Sequence, residues 1–273
     1  MALARTGRLL FLLALVLVAL GIATYLPLPS PVLAVRPPWA PYIMSVTLTP
    51  ARQVGLVATL LACAAVDSLV RTDRRLARSG LAQTVPFWIV PGLLILGAFR
   101  TIEDLSGLTW QALAAGGTVL LLGLVAAGQL HTLDSADRWF APARLGLNAA
   151  SYALALGAYL LTELLRSRAL VAPPLIALVS GALALPLLYS VRTTARHLWG
   201  TAALVGLLMG QVAWALSPGV VAPPVASFLL LLVFYGVTGV LQQELWGRLE
   251  RRVTIEFLVV ALVALGLVLR LRA

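Results

Sequence analysis

Lysine is absent from this chain. Its 20 basic residues are all arginine, set against 10 acidic residues, for a formal net charge of +10. Charge of either sign is scarce, at 11% of 273 residues, while 61% are hydrophobic. Soluble domains carry roughly 25% charged residues. A soluble fold of this length has no means of hiding so much apolar surface, whereas lipid solvates it. Cysteine occurs once, as Cys63 within an apolar run, so an intrachain disulfide is excluded. No HExxH, CxxC, Walker-type loop, GxSxG or Asp-rich prenyl-diphosphate motif is present, and no segment carries the Asp/Gly/Arg pattern of lipid-headgroup alcohol transferases. These absences weigh against an enzyme without excluding one. No acidic residue falls at a clear helix centre, which counts against an ion-coupled transporter but not against a carrier of neutral hydrophobic molecules.

What the chain does have is apolar runs of membrane-crossing length. The stretch His197–Glu256 holds two of them, joined by a short Pro/Gly turn and closed by a charged collar (Glu244, Arg248, Glu250, Arg251, Arg252). Read in order, the runs predict an all-α polytopic transmembrane bundle of about nine helices, near 9–28, 52–71, 84–104, 110–130, 146–165, 170–190, 198–216, 225–242 and 253–270. Each is close to the ~20 residues that cross ~30 Å of hydrocarbon. The whole chain, 1–273, then forms a single transmembrane domain. The first run follows Arg5 and Arg8 and is read as an uncleaved helix; a signal peptide ending near Gly21-Ile22-Ala23 is the alternative. Residues 27–51 form a proline-rich loop with Pro27, Pro29, Pro31, Pro37, Pro38, Pro41 and Pro50. Proline at this density cannot sustain a helix, so the loop is expected to be extended and partly polyproline-like, with Trp39 and Tyr42 at headgroup level. Pro86 and Pro91 predict a kink in the third helix. Gly116, Gly117, Gly123 and Gly128 predict close packing of the fourth.

Orientation is read from arginine, which concentrates on the cytoplasmic side. An inward N-terminus places 13 arginines inside (5, 8, 71, 74, 75, 78, 138, 144, 192, 196, 248, 251 and 252) and seven outside (36, 52, 100, 166, 168, 270 and 272). The N-terminus is therefore expected in the cytoplasm and the C-terminus and proline-rich loop outside it. Arg166 and Arg168 fit this least well. They leave open a tilted or re-entrant fifth and sixth helix, hence eight spans. The arginines lie in small groups between apolar runs, the pattern of membrane anchoring rather than of a nucleic-acid face.

Few polar residues stand out. His131, Asp134 and Asp137 follow the fourth helix. If that helix persists, His131 and Asp134 share a face, and a carboxylate there could orient the imidazole. His197, the other histidine, falls at the same membrane face, as do Asp67 and Glu256 just inside their helices. Two ligands are too few for a tetrahedral metal site; the alternative is a hydrated helix cap, with Asp67 and Glu256 in ordinary pairing with Arg. Gln211 is the most central polar residue of its helix, and its amide needs partners in a dry bundle, such as Tyr235 or Thr238. With Trp214 and Tyr235, Gln211 is the candidate lining of a ligand site. Gly206-x-x-x-Gly210, with Gly236 and Gly239 in the next helix, reads as helix packing, either internal or with another subunit.

The run Gly206-Leu-Leu-Met-Gly210-Gln-Val-Ala-Trp214, then Phe234-Tyr235-Gly236, then Gln242-Gln243-Glu244-Leu-Trp-Gly-Arg248-Leu-Glu-Arg251-Arg252 and Glu256-Phe257, resembles a family of uncharacterised bacterial multi-pass membrane proteins, a domain of unknown function. The Gln129-x-His131-Thr-x-Asp134 segment fits the same likeness. The resemblance covers most of the chain. It implies a bacterial inner-membrane helical bundle and no particular activity or cofactor. The expected role is a non-enzymatic scaffold or accessory subunit of a larger membrane complex, its partners being the lipid bilayer and other membrane subunits rather than nucleic acid. The rival roles are a carrier or binding protein for a hydrophobic small molecule or lipid, and a lipid-modifying enzyme working through His131 and Asp134.

Overall fold

Proline placement decides where regular structure begins. A computed structural model describes Ala14, Val16 and Val18, then residues 32–35, 44–47, 49–73, 76–77, 79–134, 136–164, 171–189, 194–216 and 222–245. Strands β1 (Val32–Val35) and β2 (Met44–Thr47) pair antiparallel, with Val32 opposite Thr47 and Val35 opposite Met44. The two described tetrapeptides of the proline-rich segment are therefore extended, while its other residues up to position 43 lie outside the described residues. The two tetrapeptides also pair with each other, which composition does not indicate. Both strands fall in tetrapeptides free of proline, where every backbone N–H can join the ladder.

Seven α-helices follow among the described residues: α1 (Pro50–Val70), α2 (Leu81–Asp104), α3 (Leu108–His131), α4 (Phe140–Leu164), α5 (Ala172–Leu188), α6 (Ala195–Ala215) and α7 (Pro223–Leu245). Six of them are long and apolar enough to cross a membrane; α5, at 17 residues, is the shorter one. Two of the nine expected spans, 9–28 and 253–270, lie outside the described residues, apart from Ala14, Val16 and Val18, which are helical. The nine-helix count is thus not reached on the described residues. The seven observed helices lie where the apolar runs predict them, and α2 is continuous through Pro86 and Pro91.

Local chemistry fixes several ends. Thr49 caps α1, its hydroxyl oxygen accepting the Arg52 N–H at 3.3 Å while its O–H donates to the Glu103 carboxylate. Pro50 occupies the first helical position, where no N–H is needed. Gly107 opens α3 with φ at 99°, a backbone state that a side chain strains against. Pro142 lies in the first turn of α4, where its missing N–H is again harmless.

The described helices fall into two compact units. One holds the strands, α1, α3 and α2 from Pro91 onward; the other holds the first ten residues of α2 with α4 to α7. In the first unit, α1 packs on α2 through glycine. A Cβ at Gly55 would lie 2.9 Å from Phe99 Cγ, and one at Gly92 would lie 3.4 Å from Cys63 Sγ. Cys63 is thus a packing residue.

In the second unit the central element is α5. It is apolar on every side and largely buried, with Ile176, Leu183, Leu187 and Leu188 inside and Leu175 and Leu178 on an exposed strip. Its main neighbour is α6, which runs antiparallel to it. A Cβ at Gly206 would lie 2.6 Å from the Ala177 carbonyl, one at Gly210 2.9 Å from Ala177 Cβ, and one at Gly181 3.2 Å from the Ala202 carbonyl. Small residues at four-residue spacing on both helices let the backbones approach. The Gly206-x-x-x-Gly210 face is therefore an internal one.

Candidate functional site

The polar segment after α3 is built by two helix ends. α3 stops at His131, with the Thr132 N–H returning to the Gly128 carbonyl. Because the helix does not persist, Asp134 does not share a face with His131. Its Oδ1 accepts the Ala136 N–H at 3.1 Å, and the carboxylate stays exposed. The partner of His131 is Asp137, six residues on, with Nδ1 and Oδ2 2.7 Å apart. An ionised carboxylate only accepts, so Nδ1 carries a proton and donates it, and Nε2 lies on the other edge of a half-exposed ring. Asp137 Oδ1 accepts the Trp139 N–H at 2.9 Å, and its carbonyl accepts the Phe140 N–H at 3.0 Å. Asp137 thus caps the start of α4. The His131 hydrogen bond, and next the Trp139 N–H, hold its carboxyl below the usual carboxylate range. An oriented imidazole of this kind can accept a proton or make one ligand bond. Among the described residues no group of three or more His, Cys, Asp or Glu side chains could hold a metal ion. His197 is exposed in the first turn of α6, and Glu256 lies outside the described residues.

The candidate ligand-lining residues are not interior. Gln211 is exposed rather than buried, Trp214 is 67% exposed and Tyr235 44%. The reason is rotational. Gln211 sits one residue, about 100°, around the helix from Gly210, so seating the glycine face on α5 turns the amide outward. Trp214 shares the glycine face. However, Gly210 already opposes Pro173 at the start of α5, so one turn further α6 has run past its partner. Tyr235 lies edge-on to Tyr152 at 5.3 Å. Thr238, an expected partner of Gln211, bonds instead to the Tyr152 hydroxyl at 3.0 Å. Gly239 is buried, but a Cβ at Gly236 would have no neighbour within 4 Å, so close packing there is corrected to an open position. The same holds for Gly116 and Gly117 of α3, both exposed with nothing within 4 Å of a Cβ.

Two interior hydroxyls of the second unit pair with tyrosines, while Ser151, Thr162 and Ser227 bond back to carbonyls of their own helices. Thr238 donates to the Phe234 carbonyl at 2.7 Å and so receives the Tyr152 O–H. Ser180 donates to the Ile176 carbonyl at 2.6 Å and receives the Tyr159 O–H at 2.7 Å. The last turn of α5 is closed by two side chains that sequence reading did not single out. Arg144 Nη2 of α4 and Gln242 Nε2 of α7 both donate to the Leu187 carbonyl, at 2.7 and 2.9 Å. Such carbonyls have no partner within their own helix, and a cation at a helix C-terminus also meets the negative end of its dipole. Long-range partnerships of this kind leave no local signal.

Charges near helix ends are paired locally. Arg71 Nε is 2.6 Å from Asp67 Oδ2. Arg100 lies 2.9 Å from Asp104 and 3.6 Å from Glu103, as the i, i+3, i+4 spacing predicts, and Arg52 joins Glu103 from α1 at 3.5 Å.

Taken together, six helices of spanning length and composition are compatible with a multi-pass membrane protein. A family model matches residues 28–271, and the chain belongs to that family, described as protein of unknown function (DUF5656). No curated protein and no solved structure matches the chain.

Proposed function

We propose that this chain is a non-enzymatic multi-pass protein of a bacterial inner membrane, an accessory or scaffold subunit that holds a helix of another membrane protein against α3. The reading includes nine spans, a cytoplasmic N-terminus and an extracytoplasmic C-terminus and proline-rich loop. The observation that carries it is the open glycine pair of α3. Gly116 and Gly117 are exposed mid-helix with nothing within 4 Å of a Cβ, flanked by exposed Leu113, Leu120, Leu121 and Leu124. Leucine is at home against lipid. A glycine pair is not needed there and weakens the helix by roughly 0.5–1 kcal/mol per residue relative to alanine. It does let a second backbone approach closely. The exposed Gln211, Trp214 and Tyr235 fit contacts with lipid or a partner better than an enclosed ligand site.

The test is purification of the tagged full-length chain from its own membrane in mild detergent. Wild type should carry partner subunits in fixed ratio, and Gly117→Leu should release them while melting like wild type. Retention of every partner by Gly117→Leu and by Gly116→Leu would sink the assignment of this face.

The His131–Asp137 hydrogen bond supports a second reading, proton transfer on a lipid substrate at the membrane surface. It predicts that His131→Ala changes the lipid profile of the membrane without loss of folded protein. An unchanged profile removes it.

A further inference from the structure

We propose that Arg144 and Gln242 bind the phosphate of an anionic phospholipid headgroup at the end of the second unit where α5 and α7 terminate. The inference rests on the membrane-spanning reading above. Arg144 is half-buried in the first turns of α4, and its hydrogen bond is to a neutral acceptor, the Leu187 carbonyl at 2.7 Å. Gln242 brings a second donor to the same oxygen at 2.9 Å. Among the described residues no carboxylate pairs with Arg144. Two donor groups therefore converge on one carbonyl that cannot neutralise the guanidinium. Of the five N–H donors of Arg and the two of Gln, most remain for a further acceptor. A charge partly withdrawn from water with no counter-charge among the described residues is costly, and a phosphate oxygen matches a guanidinium fork better than a carbonyl does.

The level of the site points to a lipid rather than a soluble anion. The antiparallel seating of α5 and α6 brings the start of α6 beside the end of α5. There Trp199, 40% exposed, donates its ring N–H to the Ala82 carbonyl at the start of α2, at 3.0 Å. A half-exposed tryptophan with its N–H engaged is the arrangement favoured at the headgroup boundary. Leu145, next to Arg144, is 72% exposed and offers apolar surface to an acyl chain below the phosphate.

The experiment titrates the full-length chain in neutral detergent with phosphatidylglycerol, phosphatidylcholine and inorganic phosphate. Native mass spectrometry reads bound lipid, and melting temperature is recorded in parallel. Wild type is expected to bind its first phosphatidylglycerol about tenfold more tightly than phosphatidylcholine. Arg144→Gln should bring that ratio to about one, whereas Arg196→Gln, exposed at the same end, should keep it. Should Arg144→Gln fail to fold, the wild-type melting shift decides, with phosphatidylglycerol raising it above phosphatidylcholine. Equal shifts from the two lipids, or an undiminished ratio in folded Arg144→Gln, overturn the site. Displacement of phosphatidylglycerol by millimolar inorganic phosphate, dependent on Arg144, overturns the lipid as the source of the anion. Alkaline extraction of membranes tests the spanning reading separately. A chain that resists extraction but shows no lipid preference fails the site alone, and a chain that is extracted fails the reading beneath it.

Discussion

Single residues in this chain divide by what lies beyond their Cβ. At Gly206 a methyl group would sit 2.6 Å from a backbone oxygen of α5, and backbone cannot yield as a side-chain tip can. Gly206→Ala should therefore lower stability by about 1–3 kcal/mol, the usual range for overpacking. Gly117→Ala, with open space around it, should be neutral or stabilising by up to ~1 kcal/mol. Melting temperatures of the two variants in the same detergent check the pair; equal losses would contradict the seating of α5 on α6. Tyr159→Phe removes one donor to Ser180 and leaves its bond to Ile176 in place, so about 0.6–1 kcal/mol is expected by the same assay. Asp137 carries a pH dependence whose sign follows from its lowered carboxyl. What its ionised form contributes to the start of α4 is present above the ordinary carboxylate pKa and is lost as pH falls through the lower folded value. Amide exchange at Trp139 and Phe140 should accelerate over that acid range in wild type. In Asp137→Ala it should already be fast at neutral pH. Slow exchange in the variant would mean the cap lies elsewhere.

At the scale of elements, α5 is the helix on which its unit depends. It is largely buried, apart from Leu175 and Leu178, and is closed at its C-terminus by donors from α4 and α7. Gln242→Leu leaves the Leu187 carbonyl with Arg144 alone and should cost about 1 kcal/mol, read as a lower melting temperature. No change would mean that this end is closed by other means. The seven helices were legible because apolar run length is a strong signal, and the arginine, proline and glycine punctuation between runs marks their ends. α4 begins earlier than its apolar run, at Phe140, because Asp137 caps it and Pro142 sits where its missing N–H is harmless. Gly206 and Gly210 were legible as packing residues from their spacing alone. Their partner was not, because a small-residue face serves a neighbour in the same chain or in another. Gln211 was misjudged as interior because centrality along a helix says nothing about rotation around it. Arg144, Gln242 and Tyr159 were not legible at all. Each acts on a residue between 21 and 55 positions away, and an isolated polar residue near a helix end looks like an ordinary boundary residue.

For the whole molecule, the buried hydroxyls described between α4 and α7 are satisfied by tyrosines or by their own helix backbone, whereas Gly116, Gly117, Gln211 and Trp214 are exposed. The proposed role is that of a subunit in a complex that meets its partner through α3. Native mass spectrometry of the chain taken from its own membrane in mild detergent tests this most directly. Wild type should carry additional subunits in fixed stoichiometry, and Gly117→Leu should lose them. A lone wild-type chain carrying one defined small molecule would contradict the account and favour a carrier.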